Sequence, residues 1–186
     1  MALTKQHIDQ LIQQCKTGDQ HAQLEIYNRY YNAMFNTAYR IVKDRFEAED
    51  IMQESFLSAF TKLDDLKDCN TFGAWLKRIV INNSIYKYNK STKYDDVHLD
   101  DVLYKIEDTD GIPESYEFIS LKAQQVLEAL KTLKDNYRVS LTLNLIEGYD
   151  YEEICQIMNI SYANCRTTIS RAKESLRKKL LETVPN

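Results

Sequence analysis

Three stretches of this chain carry side chains suited to more than packing. From Cys69 to Tyr94 there is no acidic residue, while Lys77, Arg78, Lys87, Lys90 and Lys93 are interleaved with Phe72, Trp75, Tyr86, Tyr88 and Tyr94. Cations follow a phosphate backbone, and aromatic rings give unstacked bases a surface to stack on. Asn82, Asn83 and Asn89 add amides able to read base edges. The combination favours single-stranded or melted nucleic acid over intact duplex alone. Phe72 and Trp75 also fit as core, and for Trp75 and Ile79 core is the better reading.

The second stretch is Ser161–Leu181, where Arg166, Arg171, Lys173, Arg177, Lys178 and Lys179 face Glu174 alone. Its early polar face, Ala163, Asn164, Arg166, Thr167 and Ser170, offers amide, guanidinium and hydroxyl groups that suit base edges and phosphates in a major groove. The late cations Arg177, Lys178 and Lys179 fit better as partners of the helix dipole. The third stretch is Glu47–Glu54, where Glu47, Asp50 and Glu54 fall on one helix face at i+3 and i+4. No His or other ligand joins them, so acid–base or metal chemistry has no support. Docking on a basic protein surface and a plain solvated face both remain open.

The elements that must position these groups are helices. Four glycines and two prolines in 186 residues are too few for the turns of a sandwich or barrel, and 44% apolar content excludes wholesale disorder. The fold class expected is all-α. Charge divides the chain: residues 1–90 carry a net of +1, 91–117 a net of −7 and 118–186 a net of +2. The acidic piece shows no sustained helical period and exceeds the length usual for a loop inside a compact domain. Two small helical domains, 1–90 and 117–186, are therefore expected, joined by an acidic flexible linker over 91–116. That linker is either an inert spacer or a nucleic-acid mimic lying in a cationic channel.

In the first domain the spacing predicts a short helix through Ile8, Leu11, Ile12 and Cys15 that Gly18 ends. A long helix capped by Asp19 follows, then a third through Ile51, Met52 and Phe56. A fourth begins near Asn70 or Thr71. In the second domain, helices are expected over 117–133 and 136–147, with Gly148 at C′. Asp150 and Glu153 have capping-box spacing, Asn159 suits a left-handed C′ position, and Ser161 caps a last helix buried through Cys165, Ile169, Ala172, Leu176 and Leu180. Short helix, tight turn and longer helix form a helix-turn-helix pattern.

No apolar run is long enough to span a bilayer, and the opening MALTKQHIDQ has no signal-peptide core, so a cytoplasmic protein without membrane insertion is expected. Cys15, Cys69, Cys155 and Cys165 are scattered and read as buried thiols; with His7, His21 and His98 isolated, no metal and no cofactor is expected.

AEDIMQESFLSAF at 48–60, FGAWLKRIVINNS at 72–84 and GYDYEEICQIMNIS followed by RTTISRAKESLRKKL within 148–180 closely resemble bacterial sigma factors of the small extracytoplasmic-function group of the sigma-70 family. The resemblance covers nearly the whole chain, with the blocks in the family's order. It implies a non-catalytic subunit that directs a core RNA polymerase to promoters and opens them. Glu49, Asp50, Gln53 and Glu54 would dock on the β′ clamp helices. The loop Lys67, Asp68, Asn70 and Thr71, with Phe72, Lys77, Arg78, Asn82, Asn83, Tyr86, Lys87 and Lys90, would hold the downstream promoter element as a melted strand. Ser161, Ala163, Asn164, Arg166, Thr167, Ser170, Arg171 and Lys173 would read the upstream element as duplex, while that domain packs on the β flap. An anti-sigma factor or an additional DNA-targeting factor would be a further partner.

The chain departs from the family near Tyr86 and Asn89, where an Asp and an Arg are usual. It also departs at Asn164-Cys165-Arg166-Thr167-Thr168, where Thr-Val-Lys-Ser-Arg is common. One basic residue fewer in the base-reading half implies weaker upstream readout. The rival readings are a stand-alone helix-turn-helix regulator binding duplex DNA without polymerase, and a helical adaptor that binds only proteins. A net charge of −4 speaks against unaided duplex binding, because non-specific affinity rests on cations neutralising phosphates.

Overall fold

The computed structural model describes residues 6–94 and 117–183, with the backbone alone at 92–94, 117–120 and 183. Among these residues all regular structure is helical. The acidic linker expected over 91–116 lies outside the described residues, apart from its first positions. Those continue a helix to Tyr94, past the boundary drawn at 90. The chain divides into two compact units, Met1–Thr92 and Lys93–Asn186.

The first unit contains α1 (Ile8–Lys16), α2 (Gln20–Val42), α3 (Arg45–Thr61) and α4 (Phe72–Tyr94). Thr17 and Gly18 close α1, with Gly18 at φ +85° in the left-handed region that favours glycine. Asp19 then caps α2, its carboxylate accepting from the His21 and Ala22 N–H groups at 2.8 and 3.3 Å. Lys43 takes the left-handed conformation at φ 64° to end α2, and Asp44 caps α3 by accepting from the Glu47 N–H at 2.8 Å. Because both caps are adjacent, α2 turns back into α3 without a loop. The core lies between these helices, with Leu11, Ile12, Ile26, Met34, Ile51, Met52, Phe56, Leu76 and Val80 buried.

Phe72 opens α4 and is fully buried, packed edge-on against Tyr30 with ring centroids 5.3 Å apart and tilted against Trp75 at 6.0 Å. This corrects the expectation that Phe72 contacts nucleic acid: the ring has no exposed surface to offer a base. Aromatic burial inside the helix bundle outweighs its place in a cationic stretch. The start of α4 also differs from expectation. Asn70 and Thr71 do not cap it; both lie in a 3₁₀ turn, Cys69–Thr71, which Asp68 caps by accepting from the Asn70 N–H at 2.9 Å.

The second unit contains α5 (Glu117–Lys131), α6 (Asp135–Leu141), α7 (Tyr151–Met158) and α8 (Tyr162–Thr183). The helix expected over 136–147 keeps α geometry only to Leu141, then widens into a π turn over Thr142–Ile146. Gly148, at φ +79°, lets the chain leave, and the Tyr149 N–H returns to the Leu143 carbonyl at 3.0 Å. The capping box at α7 is complete: Asp150 accepts from the Glu153 N–H at 2.8 Å, and Glu153 accepts from the Asp150 N–H at 3.0 Å. Asn159 sits at φ 53° in the left-handed region, and Ser161 accepts from the Asn164 N–H at 3.3 Å to open α8. Cys165, Ile169, Ala172 and Leu176 are buried as the spacing predicts, while Leu180 is half-buried. The thiols depart from the expected uniform burial: Cys15 and Cys165 are buried, whereas Cys69 and Cys155 are only half so.

Two stability measurements check these assignments. Phe72→Ala is expected to destabilise the first unit by about 3–5 kcal/mol, the usual cost of emptying a large aromatic site, read from denaturation followed by Trp75 fluorescence; a loss below about 1 kcal/mol refutes a core role. Asp150→Ala is expected to cost the second unit about 1 kcal/mol, seen as faster hydrogen exchange along α7. Unchanged exchange there would mean that the box contributes nothing.

Candidate functional site

Each of α3, α4 and α8 buries one stripe and displays another, and the displayed stripes hold the side chains singled out above. On α4 the inner stripe is Phe72, Leu76, Val80, Ile81, Ser84 and Ile85. Spacing of four places Arg78, Asn82 and Tyr86 on the outer side, all exposed, with Tyr86 at 69% and Lys90 following. Lys77 and Lys87 are half-buried along the margins of this stripe. Such a layout leaves cations and one bare ring on the same surface, which is what a charged polymer with planar bases requires.

Asn83 does not join that display. Its side chain is half-buried, and its Nδ2 donates to the buried Ser55 Oγ at 2.9 Å, tying α4 to α3. The amide named for base reading therefore serves as an interhelical strut. Ahead of α4, Lys67, Asp68, Asn70 and Thr71 are all exposed, yet the turn is internally bonded. Asp68 also accepts from Asn70 Nδ2 at 3.1 Å, and the Thr71 hydroxyl donates to the Asp68 carbonyl at 2.7 Å.

On α3, Asp50, Gln53 and Glu54 are exposed. Glu49 is half-buried and accepts from Arg45 Nε at 3.1 Å, which holds the Arg45 guanidinium more firmly charged than usual. Behind this pair, the Tyr27 hydroxyl is pushed up, first by burial and then by the neighbouring Tyr31 and Glu49. Two residues that sequence reasoning left out belong to this face: Phe46, 77% exposed, and Leu57, 70% exposed. Their spacing from Asp50 and Gln53 was the available signal, since i+4, i+7 and i+11 from Phe46 share one side of a helix. The face is thus acidic with an apolar residue at each end.

On α8, Ser161, Ala163, Asn164, Arg166, Thr167, Ser170 and Arg171 are all exposed and Lys173 is half-buried. The Thr167 hydroxyl donates to the Ala163 carbonyl at 2.8 Å, and Thr168 Oγ1 donates to Asn164 Oδ1 at 3.2 Å, which orients the Asn164 amide. Within the same unit, α5 and α8 flank an open groove lined by Leu121, Gln125, Ala129, Thr132, Lys179 and Glu182. Among the described residues no cluster of His, Cys, Asp and Glu is arranged to hold a metal ion, and no helix is long and apolar enough to cross a membrane.

Comparison with known proteins follows the same division. Residues 26–94 match the family model for sigma-70 region 2, and residues 123–176 match that for sigma-70 region 4. The chain is 32% identical to the ECF RNA polymerase sigma factor SigW of Bacillus subtilis, over 93% of this chain and 96% of that one. It is 28% identical to the RNA polymerase sigma-H factor of Pseudomonas aeruginosa, over 96% of each. Among solved structures, the sigma factor RpoE of Bartonella quintana, in complex with the anti-sigma factor NepR, shares the fold with a TM-score of 0.55 at 21% identity; the match covers 87% of this chain and 97% of that one. CnrH, in complex with the cytosolic domain of CnrY, gives 0.51 at 23% identity over 95% and 99%. A stand-alone helix-turn-helix regulator accounts for the second unit only and is not favoured by a chain whose first unit matches region 2. The chain belongs to the extracytoplasmic-function sigma factors of the sigma-70 family, subunits that bind core RNA polymerase and direct transcription initiation.

Proposed function

We propose that the displayed stripes divide a sigma factor's work among themselves. The acidic face of α3, Asp50, Gln53 and Glu54 with Glu49 beside it, docks on the β′ clamp helices. Phe46 and Leu57 supply the apolar anchors at either end of that face. The α4 stripe of Arg78, Asn82, Tyr86 and Lys90, with Lys77 and Lys87 at its margins and the Lys67–Thr71 turn ahead of it, holds the downstream element once its strands part. Phe72 and Asn83 support that surface from within rather than touching DNA. On α8, Ser161, Ala163, Asn164, Arg166, Thr167, Ser170, Arg171 and Lys173 meet the upstream element, and the groove between α5 and α8 seats the β flap.

One observation carries this reading: a surface free of acidic residues that pairs guanidinium and ammonium groups with a bare tyrosine ring. Contacts to unstacked bases offset the few kcal/mol lost per opened step, so binding energy rather than bond chemistry opens the promoter. The protein adds no catalytic step of its own, and it works in the cytoplasm, where its polymerase is. An anti-sigma factor, as in the solved complex of RpoE with NepR, is a further partner that this reading accommodates.

Two experiments test the assignments. The Asp50→Lys, Glu54→Lys double variant is expected to weaken capture of core polymerase by about 100-fold, because opposed like charges cost several kcal/mol; undiminished capture removes α3 from the interface. The Asn164→Ala, Arg166→Ala double variant is expected to keep promoter-specific run-off transcription within about tenfold of the parent, as weak upstream readout implies. Complete loss would show a dominant role for those two side chains.

A further inference from the structure

Two of the four cysteines meet across the helix-turn-helix. Cys155 lies on α7 and Cys165 on α8, with only residues 156–164 between them. The buried Cys165 thiol is directed at α7, its Sγ standing 3.7 Å from the Tyr151 carbonyl oxygen. Tyr151 precedes Cys155 by one helical turn, so both belong to the same face of α7. Cys155, one turn on from the carbonyl that the Cys165 thiol meets, is therefore its neighbour on α7. Burial, with the Cys155 thiol and Glu152 as neighbours, pushes the Cys165 thiol up to about 11. Cys15 is also pushed up to about 11, but by burial and Asp19, with no thiol among the causes.

The two thiols differ in access. Cys155 is half-buried and open to a small solute, whereas Cys165 is 1% exposed. An accessible sulfur beside a sheltered one is the arrangement in which the first is oxidised and the second resolves it.

We infer that Cys155 and Cys165 form a reversible redox pair, which a hydroperoxide closes into a disulfide that ties α7 to α8 and displaces the outer face of α8. With hydrogen peroxide the Cys155 sulfur attacks one peroxide oxygen, breaking the O–O bond. This leaves a sulfenic acid at Cys155 and releases one water. The Cys165 sulfur then displaces the hydroxyl from Cys155, forming the S–S bond and releasing a second water that carries the Cys165 proton. The thiols lose two electrons and two protons, and peroxide is reduced to two waters. A dithiol reductant reverses the step by exchange.

The mechanical effect follows from distances. Sulfurs in a disulfide stand about 2.05 Å apart, well inside the contact distance of two free thiols, so closing the bond draws the two side chains together and pulls on the α7 and α8 backbones that carry them. Asn164 and Arg166 flank Cys165 directly, and any shift of Cys165 is passed to them. The consequence for promoter reading rests on the function proposed above, whereas the crosslink does not.

The test uses the full-length protein, treated with hydrogen peroxide or left reduced, then unfolded in guanidinium so that buried thiols react, capped with N-ethylmaleimide and weighed intact. Oxidised protein is expected to take up two maleimides instead of four, with one peptide pair joined through Cys155 and Cys165, and dithiothreitol is expected to restore all four. Four maleimides after oxidation, oxygen adducts on Cys155 without a crosslink, or a bond to Cys15 or Cys69 would each overturn the pair. Hydrogen exchange over 162–171 is expected to change on oxidation of the parent and not of Cys155→Ala; identical exchange in oxidised and reduced parent would refute the displacement. Run-off transcription with core polymerase is expected to fall on oxidation, by no more than the roughly tenfold set for the Asn164, Arg166 double variant, and to remain steady in Cys155→Ala. If the reduced parent itself starts no transcription, the proposed function fails, while the mapped crosslink and the exchange data still decide the redox pair.

Discussion

Each displayed stripe on α3, α4 and α8 is the leftover half of a helix whose other half makes the core. A turn of 3.6 residues assigns three or four positions per two turns to the interior and leaves the rest facing out. On α4 the interior takes Phe72, Leu76 and Val80, which leaves Arg78, Asn82 and Tyr86 in one outward row. The same division on α8 buries Cys165, Ile169 and Ala172 and turns out Asn164, Arg166 and Ser170. Packing and display are set by one register, so a one-residue slip would move charged groups into the core and strip the surface of them.

Several of the polar groups that the interior takes are matched. The Thr37, Ser84 and Ser140 hydroxyls donate to carbonyls four residues earlier at 3.1, 2.7 and 2.7 Å. Arg138, 3% exposed, pairs with Asp135. Ser55 is the case with reach, because its partner Asn83 lies on another helix. That bond sets α3 and α4 against each other, and with them an acidic surface and a cationic one. Charge is thereby sorted at the scale of a helix face, which a net charge of −4 for the whole chain conceals.

What could be read in advance was whatever is local. Asp19, the Asp150–Glu153 box, Asn159 and Ser161 each act within three residues of themselves, so their spacing alone carried the helix ends and the helix-turn-helix. What could not be read depends on neighbours in space. Phe72 looks like a stacking ring because cations surround it along the chain, but Tyr30, far away in sequence, encloses it. Asn83 sits among base-reading types and is claimed by Ser55. The π turn escaped because Arg138, Ser140 and Thr142 are buried along with the apolar residues between them, so polarity along the chain does not mark which face is inside or where the period changes. Phe46 and Leu57 were passed over because apolar residues on a helix are assigned inward by habit, and here two of them point out.

The short turn ahead of α4 has one more implication. Asp68 is an acid on the rim of a cationic surface, where it would repel phosphate, yet its carboxylate is occupied by the Asn70 backbone and amide. The Thr71 hydroxyl donates to the Asp68 backbone carbonyl and fastens the turn a second time. Folding has thus already surrendered the conformational freedom that a slack segment would give up on meeting a ligand. The turn presents itself as a finished mould, and under the proposed function it is the strand that does the bending.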